Sequence, residues 1–197
     1  MCQKLILLIA CLLLASCSPR NVLSRRLASD LIQLSDAFKS AQSLTLQTGI
    51  VSNQTYTAPE YLVLQHRGWI TVSPAPCPAG LTPAPCWDIL LAPSGVETLR
   101  LLLSTQEVSK PTFTIPLARR ELIDITGISK QGSAASVEFT WRWVPLNEVG
   151  AALYSGDQRY KSTVGFRDYD DGWRVVLGSP RTEQPLEDAL KNPEPIF

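Results

Sequence analysis

The chain has 197 residues, 45% apolar and 18% charged, with 18 Lys plus Arg against 18 Asp plus Glu. That composition is ample for a packed core and excludes the disordered class. The even charge balance argues against a polyanion-binding surface, so no nucleic-acid partner is expected.

The chain opens with one cation, Lys4, followed by an uncharged apolar run from Leu5 to Leu14. About 20 apolar residues are needed to cross a bilayer as a helix, so this run is a signal peptide's core and not a permanent span. It closes on Leu14-Ala15-Ser16-Cys17, a sequence that resembles the lipobox of bacterial lipoproteins at every position. The resemblance implies that residues 1–16 are cleaved, that Cys17 carries a diacylglyceryl group, and that its new amino terminus is acylated. Several acyl chains anchor stably where one is marginal. Ser18 stands where an Asp would favour retention at the inner membrane. The implied location is the periplasmic face of the outer membrane, with the membrane as one partner and an envelope protein as the other.

Of the five cysteines, Cys2 and Cys11 would leave with the leader and Cys17 would be lipidated. Cys77 and Cys86 remain, in Pro76-Cys77-Pro78 and Pro85-Cys86-Trp87, and outside the cytosol they are expected to form a disulfide. Zinc would need further ligands, and His66 is the single histidine, so no metal and no other cofactor is expected. The spacing is not that of a Cys-x-x-Cys redox pair.

After the tether at 17–20, Leu23, Leu27, Leu31, Leu34 and Phe38 recur at helical spacing and predict an amphipathic helix facing the core. A membrane-surface helix is the sharper alternative, disfavoured by the mixed charge of Arg25, Arg26, Asp30 and Lys39. Thr45 to Asn53 is compatible with helix or extended chain. Thr57-Ala58-Pro59-Glu60 has a capping-box pattern and predicts a helix from about 58 to 67, ended by Gly68. Trp69 to Val72 and Trp87 to Leu91 then read as antiparallel strands around a loop at 73–86. Pro93-Ser94-Gly95-Val96-Glu97 opens a helix with a second capping box, continuing through Leu99, Leu102 and Leu103.

The series over residues 57–103, with Arg67-Gly68-Trp69-Ile70 and Pro93-Ser94-Gly95 at its turning points, is similar to the wing region of MarR-type winged-helix domains. DNA is not the implied partner. The helix at 58–67 offers phosphates only Arg67 and His66, where DNA binders neutralise several, and a lipid anchor removes the chain from DNA.

Ser104 to Thr114, with Lys110-Pro111, is the expected linker, and antiparallel sheet is expected beyond it. Ala118 to Ile128 reads as a strand, with turn residues at Ser129 to Ser133. Val137, Phe139, Trp141 and Trp143 alternate with Glu138, Thr140 and Arg142, the clearest strand of the chain. Asn147 to Leu153 is a short helix or loop. Tyr160 to Tyr169 and Trp173 to Leu177 form a hairpin around Asp170-Asp171-Gly172, burying Val164, Phe166, Trp173, Val175 and Leu177. This block is similar to patterns in uncharacterised bacterial lipoproteins and to the curved sheets of cystatin-like and nuclear-transport-factor-like folds.

The fold class expected is α+β, a winged-helix-like N-terminal half at 21–104 and a twisted antiparallel sheet at 115–179, followed by an irregular tail at 180–197 with a turn of helix near Leu186 to Leu190. No catalytic residue stands out. Neither Gly-x-Ser-x-Gly, His-Glu-x-x-His nor a phosphate loop occurs, His66 reads as a structural helix-terminal residue, and Asp168, Asp170 and Asp171 read as solvated hairpin chemistry. Five tryptophans, Trp69, Trp87, Trp141, Trp143 and Trp173, fall on predicted strands, where Trp more often fills a core. Left exposed, Trp87 or Trp143 would provide a platform for glycan or peptide. The function expected is therefore a non-catalytic, lipid-anchored interaction or assembly module, with glycan or peptide binding as the alternative.

Overall fold

The computed structural model describes residues 22–81, 84–102, 111–177 and 184–196. The expected leader, the Cys17 tether, Leu103 and the linker residues 104–110 lie outside the described residues. Within them the chain is a mixed α+β protein. Its described residues form two compact units interleaved along the sequence, one of 22–39, 122–141, 159–177 and 184–196, the other of 40–81, 84–102, 111–121 and 142–158. Two long strands at 112–131 and 134–145 give residues to each, so the units are not the sequential halves expected.

In the first unit, α1 (Arg25–Leu34) starts where the Ser24 hydroxyl accepts the Leu27 N–H at 3.2 Å. It ends at Ser35, whose hydroxyl donates to the Ile32 carbonyl at 2.6 Å and accepts the Phe38 N–H, starting α2 (Asp36–Lys39). The expected apolar series is buried only at its ends: Leu23, just before α1, is in the core, whereas the leucines of α1 itself are not its most buried residues. Ala28 and Ile32 are buried, Leu27 and Leu31 are half-buried, and Leu34 is 64% exposed. One residue turns a helix by about 100°, so the Ala28/Ile32 stripe lies about that far round from Leu27, Leu31 and Leu34. Phe38 belongs to α2 and reaches the core there, edge-on to Phe139 at 6.5 Å.

Strands β5 (Thr112–Gln131) and β6 (Ala134–Pro145) meet at Gly132, whose φ of 62° suits glycine. Along β6, Ala135, Val137, Phe139, Trp141 and Trp143 are buried and the residues between them are not, as the alternation predicts. β7 (Arg159–Tyr169) and β8 (Gly172–Val175) pair with Tyr169 opposite Gly172, leaving Asp170 and Asp171 as the two-residue connection. Val164, Phe166 and Trp173 are buried as expected, but β8 stops at Val175 and Leu177 is exposed. Of the tail, 180–183 and 197 lie outside the described residues, the expected turn of helix forms, and a strand not expected follows it. α7 (Leu186–Lys191) buries Leu186, Ala189 and Leu190, and β9 (Glu194–Ile196) pairs with Arg159 to Lys161 of β7. Pro195 is tolerated there because β9 is paired to β7 alone and does not need every N–H.

In the second unit, Thr45 to Asn53 resolves mostly as extended chain. β1 (Gln42–Gln47) pairs antiparallel with β5, and Gly49, at φ 82°, turns the chain into β2 (Gly49–Ser52). Thr112 to Thr114, assigned to the linker by sequence, are therefore strand, opposite Gln47 to Thr45. Ser52 caps α3 (Asn53–Tyr56), and α4 (Pro59–His66) follows. Neither expected capping box forms. The Thr57 hydroxyl donates back to the Asn53 carbonyl at 2.9 Å, and Ser94, inside α5 (Pro93–Leu102), donates to the Gly68 carbonyl at 2.7 Å. β3 (Ile70–Ala75) and β4 (Cys86–Leu91) form the expected hairpin, and β2 adds to β4 to give the order β2-β4-β3. α6 (Glu148–Leu153) is capped by Asn147, whose Oδ1 accepts the Gly150 N–H at 2.9 Å. Leu46, Leu64, Ile89, Phe113, Ile115 and Val149 are at the centre of this unit's core.

Candidate functional site

The β3–β4 loop carries the expected disulfide between Cys77 and Cys86. Cys86 is buried at the start of β4 and Cys77 is exposed in the loop, so the bond ties the loop to the sheet.

The two tryptophans expected as a binding platform are both committed within the second unit. Trp87 is half-buried, its indole N–H donates to the Asn53 side-chain carbonyl at 2.9 Å, and Tyr56 packs on its ring at 4.7 Å. Trp143 is 9% exposed, between Tyr154 at 5.2 Å and the Arg120 guanidinium at 4.6 Å from its ring centroid. Neither is an open aromatic face. Burial lowers the Arg120 pKa from its ordinary value, opposed by Tyr154. The cation–π contact and a bond from Nη1 to the Ser40 carbonyl at 3.3 Å hold this guanidinium.

Tyr61 on α4 accepts the Gln47 N–H at 2.7 Å, fastening helix to strand β1. Burial raises its pKa above the ordinary 10.0, while the Gln47 backbone bond pulls the other way and Glu60 adds to the rise.

His66 is exposed at the end of α4. Asp170 and Asp171 are exposed at the hairpin tip, where Asp171 pairs with Arg174, and Asp168 is half-buried with its backbone N–H on the Ser133 carbonyl. Among the described residues no three His, Cys, Asp or Glu side chains converge as a metal set. Also among them, no helix is long and apolar enough to cross a membrane.

One feature was not foreseen. A groove of about 510 Å³ in the first unit runs beside α1, walled by Val22, Leu27, Leu31 and Trp173, with Arg26, Asp30 and Asp171 among its lining residues. A second cavity in the same unit, of about 340 Å³, is lined by neutral hydroxyls and amides including Ser129, Gln131, Ser136, Thr163 and Gln184. Compared with known proteins, the chain matches no family model, no curated protein and no solved structure.

Proposed function

We propose that this chain is a lipid-anchored envelope protein, acylated at Cys17 and held at the periplasmic face of the outer membrane, where it acts as a non-catalytic interaction or assembly module. The observation that carries the proposal is the complete Leu14-Ala15-Ser16-Cys17 sequence after a short apolar run. The Cys77–Cys86 disulfide supports it independently, because such bonds persist outside the cytosol.

The segment from β2 to α5 is winged-helix-like in this proposal. Strand, two helices, then a two-stranded wing, with the first strand added to the wing's return strand, is the order that supports it. Its scaffold serves protein contact and not nucleic acid. The outward face of the β2-β4-β3 sheet carries Ile50 beside Asp88, and Leu90 opposite Thr71, with both apolar residues exposed. Exposed apolar surface on a sheet of this kind suits a protein partner. A photo-crosslinking residue at Leu90, with a second at Ile50, tests this in intact cells. A discrete adduct from both positions is expected, and cells that yield none from either would remove the module role.

A further inference from the structure

We propose that the leucine stripe of α1 is a membrane-docking surface and that its occupant is a phospholipid bilayer. This deepens the anchoring proposal above and rests on it. Three independent features of the first unit point the same way.

The first is the misfit between sequence and packing. An amphipathic helix normally turns its leucines inward, yet α1 packs through Ala28 and Ile32. Val22, 59% exposed, and Leu34, 64% exposed, bracket the stripe, with half-buried Leu27 and Leu31 between them. Val22, Leu27 and Leu31 line a groove that Trp173 also lines, along a helix about 15 Å long. Scattered apolar residues on a surface need no explanation, but a continuous stripe with an adjoining groove does.

The second is reach. Cys17 precedes Val22 by a handful of residues, and at about 3.3–3.6 Å per residue the tether can extend only roughly 17 Å. A bilayer that holds the Cys17 acyl chains is therefore the surface nearest to the start of α1, whatever else the domain meets.

The third is charge. Arg25 and Arg26 lie at the end of α1 closest to the anchor, where a bilayer presents phosphates, and Arg20 lies in the tether sequence itself. Arg25 also donates to the Thr126 carbonyl at 3.4 Å, which leaves its charge unneutralised. Of the acids that line the groove, Asp30 is a single charge on α1 between Leu27 and Leu31, against Arg25 and Arg26, and Asp171 is paired with Arg174. A helix with an apolar stripe and cations at its flank sits in the interface with its apolar side in the headgroup and acyl boundary.

The test uses the full chain, processed and purified from membranes, with one added cysteine bearing an environment-sensitive fluorophore. The positions are Val22→Cys, Leu34→Cys and, on the opposite side of α1, Gln33→Cys. Each protein is reconstituted into vesicles of phosphatidylethanolamine and phosphatidylglycerol, with and without nitroxide-labelled lipid. Blue-shifted emission with strong quenching at positions 22 and 34, and aqueous, weakly quenched emission at 33, is the expected result. Mass spectrometry of Cys17 in the same samples separates the two possible failures. Acylated Cys17 with all three fluorophores aqueous overturns the docking and leaves the anchor standing. Unmodified Cys17 overturns the anchor and the docking with it.

Discussion

Ser162 on β7 makes two buried hydrogen bonds at once. It accepts the Trp141 indole N–H at 3.0 Å and donates to the Ala189 carbonyl at 2.8 Å, so one hydroxyl links β6, β7 and α7. Replacing it with Ala keeps the volume nearly constant but strands a buried donor and a buried acceptor. The unmet N–H alone costs about 1–3 kcal/mol. Ser162→Ala should therefore lower the urea midpoint with little change in the slope of the transition, and a midpoint equal to wild type would mean that water replaces the hydroxyl. Tyr61 makes a prediction in pH. Its folded-state pKa is raised, so its contribution to stability is complete below the ordinary 10.0 and is lost as pH climbs through the raised value. Wild type should lose stability faster than Tyr61→Phe between the ordinary 10.0 and the raised value, whereas near neutrality the variant should be weaker by about 0.5–1.5 kcal/mol for its lost bond to Gln47. Parallel urea midpoints across the alkaline range would contradict both statements.

At the scale of elements, two helices are pressed onto backbone. A Cβ at Gly150 in α6 would lie 1.9 Å from the Leu117 carbonyl oxygen, and one at Gly95 in α5 equally close to that of Trp69. Neither neighbour is a flexible side chain, so Gly150→Ala must displace the helix from β5. The expected loss is at the upper end of the roughly 1–3 kcal/mol typical of overpacking, measured as a fall in the denaturation midpoint. The disulfide is the other local restraint. Its short loop corresponds to about 2–3 kcal/mol in the chain-entropy account, and Cys77→Ser with Cys86→Ser should cost about that much under oxidising conditions and nothing beyond the reduced wild type under reducing ones.

What could be read ahead of the structure follows from how local each signal is. The alternation of Val137, Phe139, Trp141 and Trp143 has a period of two over a long run, so β6 was legible and its buried face correct. The Cys77–Cys86 bond was legible by elimination among the cysteines. The misread positions all depend on distant partners. Thr57 and Ser94 match a capping-box pattern, but their hydroxyls find the Asn53 and Gly68 carbonyls instead. β9 forms in a proline-bearing tail because β7 offers it a free edge, which no local window contains. In α1 the leucines have the right spacing for a core face, but Ala28 and Ile32 are the residues it buries, and Ser35 ends the helix before Phe38. Trp87 and Trp143 were correctly placed on strands, while the partners that occupy them, Asn53, Tyr56, Tyr154 and Arg120, come from elements far away in sequence.

For the molecule as a whole, the interleaving of its two units was beyond sequence reading, because β5 already runs through Thr112 to Thr114, where a Pro-containing stretch suggested a linker, and β5 and β6 each give residues to both units. The functional account joins features of different scale: a four-residue sequence at Leu14 to Cys17, the Cys77–Cys86 disulfide, and the leucines of α1. The central claim is the acylation of Cys17. Mass spectrometry of the mature amino-terminal peptide, from protein extracted from membranes, tests it most directly. The prediction is a chain that begins at Cys17 and carries a thioether-linked diacylglyceryl group. A mature chain beginning elsewhere, or a free Cys17 thiol, would contradict it.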